Sequence, residues 1–224
     1  MSEELVLNQP ELSLLREMKI YYPPISLILY SVEPYANPET LFLYLILSRS
    51  EFEPDKDIFA GTYYMDFNAL TTASAIPSPL VYKFRNLITE SPNVHFRSYE
   101  SAEEFLRAID LYYRSSNHLY LFVPYLKENE RDLPEKLGLL VKKIKLTGRK
   151  SATLSIFLDS FIFSSPASRL LHYYSDAIFS LRMNEKTGKR ELALNRLSFS
   201  SLPLSPLELS IESDGVRFQM VRSY

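Results

Sequence analysis

No cysteine occurs in the 224 residues. Disulfides, thiolate-bound zinc and cysteine nucleophiles are therefore excluded, and a reducing, intracellular setting fits. Long apolar runs are missing too. The two richest, ISLILYSV (25–32) and LFLYLIL (41–47), are parted by a polar, proline-containing turn, and neither approaches the ~18 residues of a membrane span. The leading MSEELVLNQPELSLLREM is too acidic and interrupted for a signal peptide, so the expected location is the cytoplasm, or the nucleus in a eukaryote. Strong charge of either sign is absent: a net charge of −2 and pI near 6.0 argue against a surface that traps nucleic acid as a whole, leaving only local basic patches.

Glycine is scarce, and missing where it matters most. Residues 25–47 read as a buried strand, a tight turn and an apolar helix, the frame in which a phosphate-binding loop sits, yet the first glycine of the chain is Gly61. A G-x-x-x-x-G-K-[ST] loop works because glycines let backbone N–H groups approach the phosphates. Its lysine reaches the terminal phosphates, and its hydroxyl holds Mg²⁺. Here the glycine places hold Ser31 or Val32 and Tyr35 to Asn37, with Glu33 between. The lysine place holds Pro38, and the hydroxyl place holds Glu39 with Thr40 beyond. A carboxylate there repels phosphate, so the segment reads as a nucleotide-binding scaffold without its nucleotide chemistry.

What is present suffices for one α/β core: 46% hydrophobic residues, with 16 Tyr and 14 Phe. Residues 1–20 read as an arm or short helix with an amphipathic stretch (Leu12, Leu14, Leu15, Met18), and 21–224 as the core domain, starting from the rigid Tyr21-Tyr22-Pro23-Pro24. The pattern predicts strands at 26–31, 58–66, 93–97, 118–126, 153–163, 176–182 and 190–197, then a terminal pair, LELSIES and VRFQMV, across Asp214-Gly215. Helices are predicted near 38–49 (Asn37 as N-cap, Pro38 at the first position), 80–88, 102–114, 133–147 and 166–174. A loop is expected at 70–79, a hairpin turn at NEKTGK, and a capping box from Ser101 and Glu104. HLYLFVPYL and TLSIFLDSFIF are continuous apolar runs of the kind buried on both faces of a parallel sheet. Alternating strands and helices that give way to antiparallel strands imply a mixed sheet covered by helices on both faces.

Three stretches carry a family resemblance. SVEPYANPETLFLYLIL resembles the phosphate-loop strand and helix of the RecA/RadA/KaiC superfamily, and SAEEFLRAIDLYYRSSNHLYLFVPYL resembles the helix and strand leading to its Walker B motif. LLHYYSDAIFSLR, KRELALNRL and LELSIESDGVRF are similar to its closing strands, the most specific part. The resemblance covers nearly the whole chain from about residue 20. It implies an α/β, RecA-like three-layer α/β/α fold, mostly parallel with antiparallel C-terminal strands. The departures are as telling: where an active member ends its Walker B strand in a magnesium-holding Asp, this chain has Pro124-Tyr125. An alternative alignment makes IFLDS that strand, with Asp159 as the acid. The preferred one places IFLDS a strand later, with Asp159 near a ligand crevice or simply capping the next turn. Asp66 or Glu90 could stand for the superfamily's water-polarising glutamate, but neither acts without a bound γ-phosphate.

Other constellations are weaker. His95, His118 and His172 are too few and scattered for a metal site or triad, and no G-x-S-x-G elbow occurs. Glu103, Glu104, Glu128 and Glu130 read as solvated charges. Lys142, Lys143, Lys145, Arg149 and Lys150 form the densest basic cluster, a candidate nucleic-acid contact that competes with, and yields to, the role of complementing a helix dipole. By the resemblance, the loops holding DNA would be YLKENERD, with Lys127 and Arg131, and FIFSSPASR, with Arg169. Phe161 and Phe163 stack on single-stranded bases if they face outward, and are ordinary buried strand residues if not.

The resemblance, with its losses, implies a pseudo-ATPase without cofactor or metal. It would be a structural or regulatory subunit in homologous recombination or DNA repair, joined to a RecA-family paralogue or to itself, with single-stranded DNA as a further candidate partner. The alternative is a ring subunit outside DNA repair, as in the Elongator accessory trio of transfer-RNA modification or in KaiC-like signalling. A third reading is a nucleotide binder with an atypical site around Thr40 and Asp159. An aromatic content of 13% suits a chain that works by association.

Overall fold

A nine-stranded sheet runs in the order β3-β2-β4-β5-β1-β6-β7-β8-β9. The structure, a computed structural model, describes residues 27–73, 76–146, 152–197, 206–212 and 216–220. The expectations for residues 1–24, for Arg149 and Lys150 and for the Asp214-Gly215 turn fall outside them. The strands are β1 (Leu27–Val32), β2 (Ile58–Tyr63), β3 (Val94–Tyr99), β4 (His118–Val123), β5 (Thr153–Asp159), β6 (Ala177–Met183), β7 (Arg190–Leu197), β8 (Leu207–Ile211) and β9 (Val216–Met220). The six from β3 to β6 in sheet order pair in parallel, and the last three joints are antiparallel. This is the mixed sheet expected from the sequence.

The helices are α1 (Pro38–Phe52), α2 (Phe67–Ala73), α3 (Ser78–Glu90), α4 (Ala102–Ser115), α5 (Leu133–Leu146), α6 (Ser160–Ser164) and α7 (Arg169–Tyr174). Period-two alternation divides the strand side chains between two cores. Ile28, Tyr30, Phe122, Phe157 and Phe179 meet α1 and α3 on one face. Leu27, Leu29, Phe59, Leu121 and Ile156 meet α4, α5 and α7 on the other. The first core is built on stacked rings, with Tyr30 4.2 Å from Phe157 and 5.3 Å from Phe179. Each such ring removed from water contributes roughly 1.5–3 kcal/mol. On the second face α5 lies so close to α7 that a Cβ on Gly138 would come 2.7 Å from Leu170 Cβ.

The departures from expectation have local causes. The strand expected to reach residue 66 stops at Tyr63, because Tyr64 is left-handed with φ 58°, a conformation that is an outlier for a bulky side chain. The strand expected to reach residue 126 stops at Val123, since Pro124 brings no N–H to a ladder. TLSIFLDSFIF is not one strand: it ends at Asp159, whose carboxylate accepts from Phe161 N at 2.8 Å and opens α6. Phe67–Ala73, part of it expected as loop, is helical, with Asp66 Oδ1 accepting from Ala69 N at 2.7 Å. The capping box is also absent: neither Ser101 nor Asn37 caps through its side chain. Asn37 instead takes the left-handed conformation at φ 56°, which asparagine tolerates better than most residues. The β6–β7 hairpin turns at Gly188, φ 65°, as expected for NEKTGK.

Candidate functional site

The chain leaves β1 toward β2 on one side of the sheet and leaves β5 toward β6 on the other, and β1 and β5 are neighbours. Such a switch point opens a crevice beyond the carboxyl ends of the two strands. Val32 and Asp159 face each other in register at its mouth. The crevice is bounded by the turn after β1: Glu33, a 3-10 turn at Pro34–Ala36, Asn37, and the start of α1.

Several backbone donors of that turn are missing or committed. Pro34 and Pro38 have no N–H; Glu33 N donates to Leu181 O at 2.9 Å, Ala36 N to Glu33 O at 3.0 Å and Thr40 N to Asn37 O at 3.2 Å. The Glu33 carboxylate reaches past the end of β1 and accepts from Met183 N at 2.9 Å. Ser31 lies within β1 and is half-buried. Glu39 and Thr40 are buried at the start of α1, and Tyr35 stands out, 85% exposed. No lysine lies in the turn. Asp159 is buried, and desolvation pushes its carboxyl above the usual carboxylate range, opposed by the N–H groups of Phe161 and Ile162. It caps α6, the plainer of the two roles weighed from the sequence.

The neighbouring strands β4 and β2 end in an aromatic cluster. Tyr125, just past Pro124, donates its hydroxyl to Tyr64 O at 3.4 Å, and the two rings lie 5.9 Å apart. Lys127 sets its ammonium 3.5 Å above the centre of the Tyr64 ring and hydrogen-bonds that residue's hydroxyl. Glu130, read from sequence as a solvated charge, is instead a clamp. It accepts from the Tyr63 hydroxyl and, at 2.9 Å, from Ala102 N, tying the loop after β4 to the start of α4. Those bonds, the Tyr63 hydroxyl first, lower the Glu130 pKa, while burial and then Glu130 raise that of Tyr63.

The structure gathers some of the expected contact residues and separates others. Tyr35, Phe161 and Tyr125 each follow the carboxyl end of one of the adjacent strands β1, β5 and β4, and are 85%, 86% and 44% exposed. Phe161 thus faces outward. Phe163 does not: it packs on the second core with His172, ring centres 4.2 Å apart. Arg131 and Arg169 are exposed, Arg131 with Glu128 at 3.5 Å. Lys142, Lys143 and Lys145 lie on the last turns of α5, at the opposite end of the sheet. Lys145 is paired with Asp176 at 2.8 Å and Lys143 lies 3.6 Å from Asp110. Glu90 closes α3 at that far end too, and Asp66 is committed to capping α2.

Sequence reasoning missed a buried ionic cluster below the first core. Arg49, fully buried, donates to Glu53 at 2.8 Å and to the Tyr120 hydroxyl at 3.3 Å, and Glu53 lies 2.8 Å from His118 Nε2. Burial, then Arg49 and Lys56, lower the His118 pKa to about 3. A lone Arg inside the apolar helix LFLYLILSRSEF was the available signal. His95 and His172 stand apart from it, and among the described residues no three potential ligands could hold a metal ion.

No family model matches the sequence, and comparison with curated proteins finds no match. Among solved structures, a KaiC-like protein from the hyperthermophilic archaeon Pyrococcus horikoshii matches with a TM-score of 0.62, covering 88% of this chain and 91% of its own at 14% identity. At that identity the likeness speaks for architecture alone. With its mostly parallel sheet, antiparallel C-terminal strands and helices on both faces, this chain has a RecA-like α/β fold.

Proposed function

We propose that this chain is a non-catalytic RecA-like subunit that acts by association. A nucleoside triphosphate with its magnesium does not fit the turn after β1. The reading rests above all on that turn, where Pro34 and Pro38 bring no N–H, the N–H groups of Glu33, Ala36 and Thr40 are bonded to carbonyls, no lysine is present, and the Glu33 carboxylate adds a negative charge held against Met183 N. Hydrolysis also needs a charge to hold magnesium and a base beside the γ-phosphate. Pro124 follows β4, Asp159 is committed to α6 and Asp66 to α2.

The proposed setting is homologous recombination or DNA repair, with a RecA-family partner. The exposed Tyr35, Phe161 and Tyr125, flanked by Lys127, Arg131 and Arg169, supply π-faces and cations of the kind that hold single strands with little sequence preference. The KaiC-like neighbour favours a second reading, a ring subunit outside DNA repair. Fluorescence anisotropy separates them. The first expects binding to single-stranded DNA that weakens as salt rises, because phosphate contacts release counterions. Binding to transfer RNA without DNA supports the second, and binding to neither removes the nucleic-acid element.

A further inference from the structure

Four strands end along one edge of the sheet, in the order β4, β5, β1, β6. Their register aligns these ends: Val123 pairs with Leu158, Asp159 with Val32, and Val32 with Leu181. No more than three residues after its strand stops, each presents one exposed group: Tyr125 after β4, Phe161 after β5, Tyr35 after β1, and Lys186 in the hairpin after β6. Neighbouring strands lie about 4.8 Å apart, so the three intervals span about 14 Å, the length of about four stacked nucleotides.

We infer that a single strand of nucleic acid crosses these ends in that order, over the mouth of the crevice, with the turn after β1 as its third stacking platform and Lys186 as a phosphate contact beyond it. The path rests on the DNA association proposed above and extends it to a part of the fold that would otherwise serve a nucleotide. Tyr35 suits the role because its backbone is fixed. It sits in a 3-10 turn between Pro34 and Asn37, and Glu33 fastens that turn to Leu181 O and Met183 N, so little freedom is left to lose on binding. The same bonds set the root of the hairpin beside the turn. At the tip, Asn184 Oδ1 accepts from Lys186 N at 3.0 Å and Thr187 N at 3.1 Å, which orders the loop. Lys189 and Arg182 are drawn to Glu208 and Glu191, at 2.8 and 3.2 Å, whereas the Lys186 ammonium has no ion pair among the described residues. Acids stand near both ends, Glu128 with Arg131 and Glu185 next to Lys186, so the rings carry more of the binding than the charges do.

Fluorescence anisotropy of a labelled oligothymidylate of about twelve nucleotides, a length within the usual site sizes, titrated with the full-length protein without nucleotide, tests the path. Tyr35→Ala and Phe161→Ala should each weaken binding at least about fivefold, the effect of one lost base platform. Tyr173→Ala, which removes an exposed ring from the last turn of α7 at the far end of the sheet, should leave it unchanged. Lys186→Ala should lower the salt slope by about one. Melting temperatures within about 1 °C of the parent identify folded variants, and millimolar ATP with Mg²⁺ should not change the affinity. If Tyr35→Ala or Lys186→Ala behaves as the parent while Phe161→Ala weakens binding, the strand takes another course, and the path falls while the association reading stands. Competition by ATP also overturns it, because the turn would then hold nucleotide. A parent that binds no oligothymidylate removes the DNA reading and the path together.

Discussion

The carboxylate of Glu33 and the backbone N–H of Met183, 150 residues apart in sequence, are joined at 2.9 Å. With Glu33 N on Leu181 O at 2.9 Å, one residue fastens the turn after β1 to the end of β6 through both backbone and side chain. In this position a glutamate is structural, which explains how the turn holds its shape without glycine.

Glu33→Ala therefore costs stability. It leaves the Met183 N–H without its acceptor, a loss of about 1–3 kcal/mol, read as a lower urea midpoint. Glu33→Gln, which keeps an acceptor oxygen, should recover at least half of the loss. Neither variant should acquire nucleotide-dependent stabilisation.

Arg49 is a buried charge that depends on Glu53 and Tyr120. Arg49→Ala leaves a cavity and strips Glu53 of its cation, and a cost of about 3–5 kcal/mol is expected, as for other broken buried pairs. Chemical denaturation measures it. Arg107→Ala, which breaks the exposed pair with Glu103, should change stability by less than about 1 kcal/mol.

Beside that cluster His118 titrates near pH 3 in the fold, against 6.5 ordinarily. As pH falls the unfolded chain takes up this proton first, so the stability contributed by the neutral buried ring is complete above about pH 6.5 and is lost progressively toward pH 3. The slope approaches 1.4 kcal/mol per pH unit. Stability measured from pH 7 to pH 4 should fall less steeply in His118→Gln than in the parent. Equal slopes would remove His118 from the acid response.

Tyr63 and Ala102 share one carboxylate, and only its removal frees both. Tyr63→Phe and Glu130→Gln, combined in a double-mutant cycle, should show a coupling energy of about 0.5–3 kcal/mol. Strict additivity would mean that the clamp is not formed in solution.

The proposed binding role of the exposed rim side chains predicts that their loss affects contact more than stability. Phe161→Ala should leave the melting temperature within about 1 °C, as befits an exposed surface site, while weakening binding to single-stranded DNA by about 1–3 kcal/mol. Lys127→Ala should lower the salt slope of binding by about one.

The central sheet was legible in the sequence because its signals are local. HLYLFV is apolar throughout, as a strand covered on both faces must be, and Asn37-Pro38 marked the start of α1 from residue preference alone. Other features depend on partners far along the chain. Ser101 and Glu104 have the spacing of a capping box, but Glu130, 28 residues from Ala102, supplies the acceptor instead. SFIF has the same apolar character in a strand as in a short helix, and only the Asp159 cap decides between them. Tyr64 gives no warning of its left-handed backbone, since glycine or asparagine normally marks that turn. At the candidate site the missing glycines and lysine were readable, whereas the bonds that occupy Glu33 were not.

Titration of the full-length protein with ATP and Mg²⁺ in a calorimeter, paired with thermal denaturation at the same concentrations, tests the central claim most directly. A ligand that binds only the folded state must raise its apparent stability. The account predicts no heat beyond dilution and no change in melting temperature up to millimolar nucleotide. Saturable heat with a concentration-dependent rise in melting temperature, abolished by substitutions in the turn between Glu33 and Thr40, would contradict it.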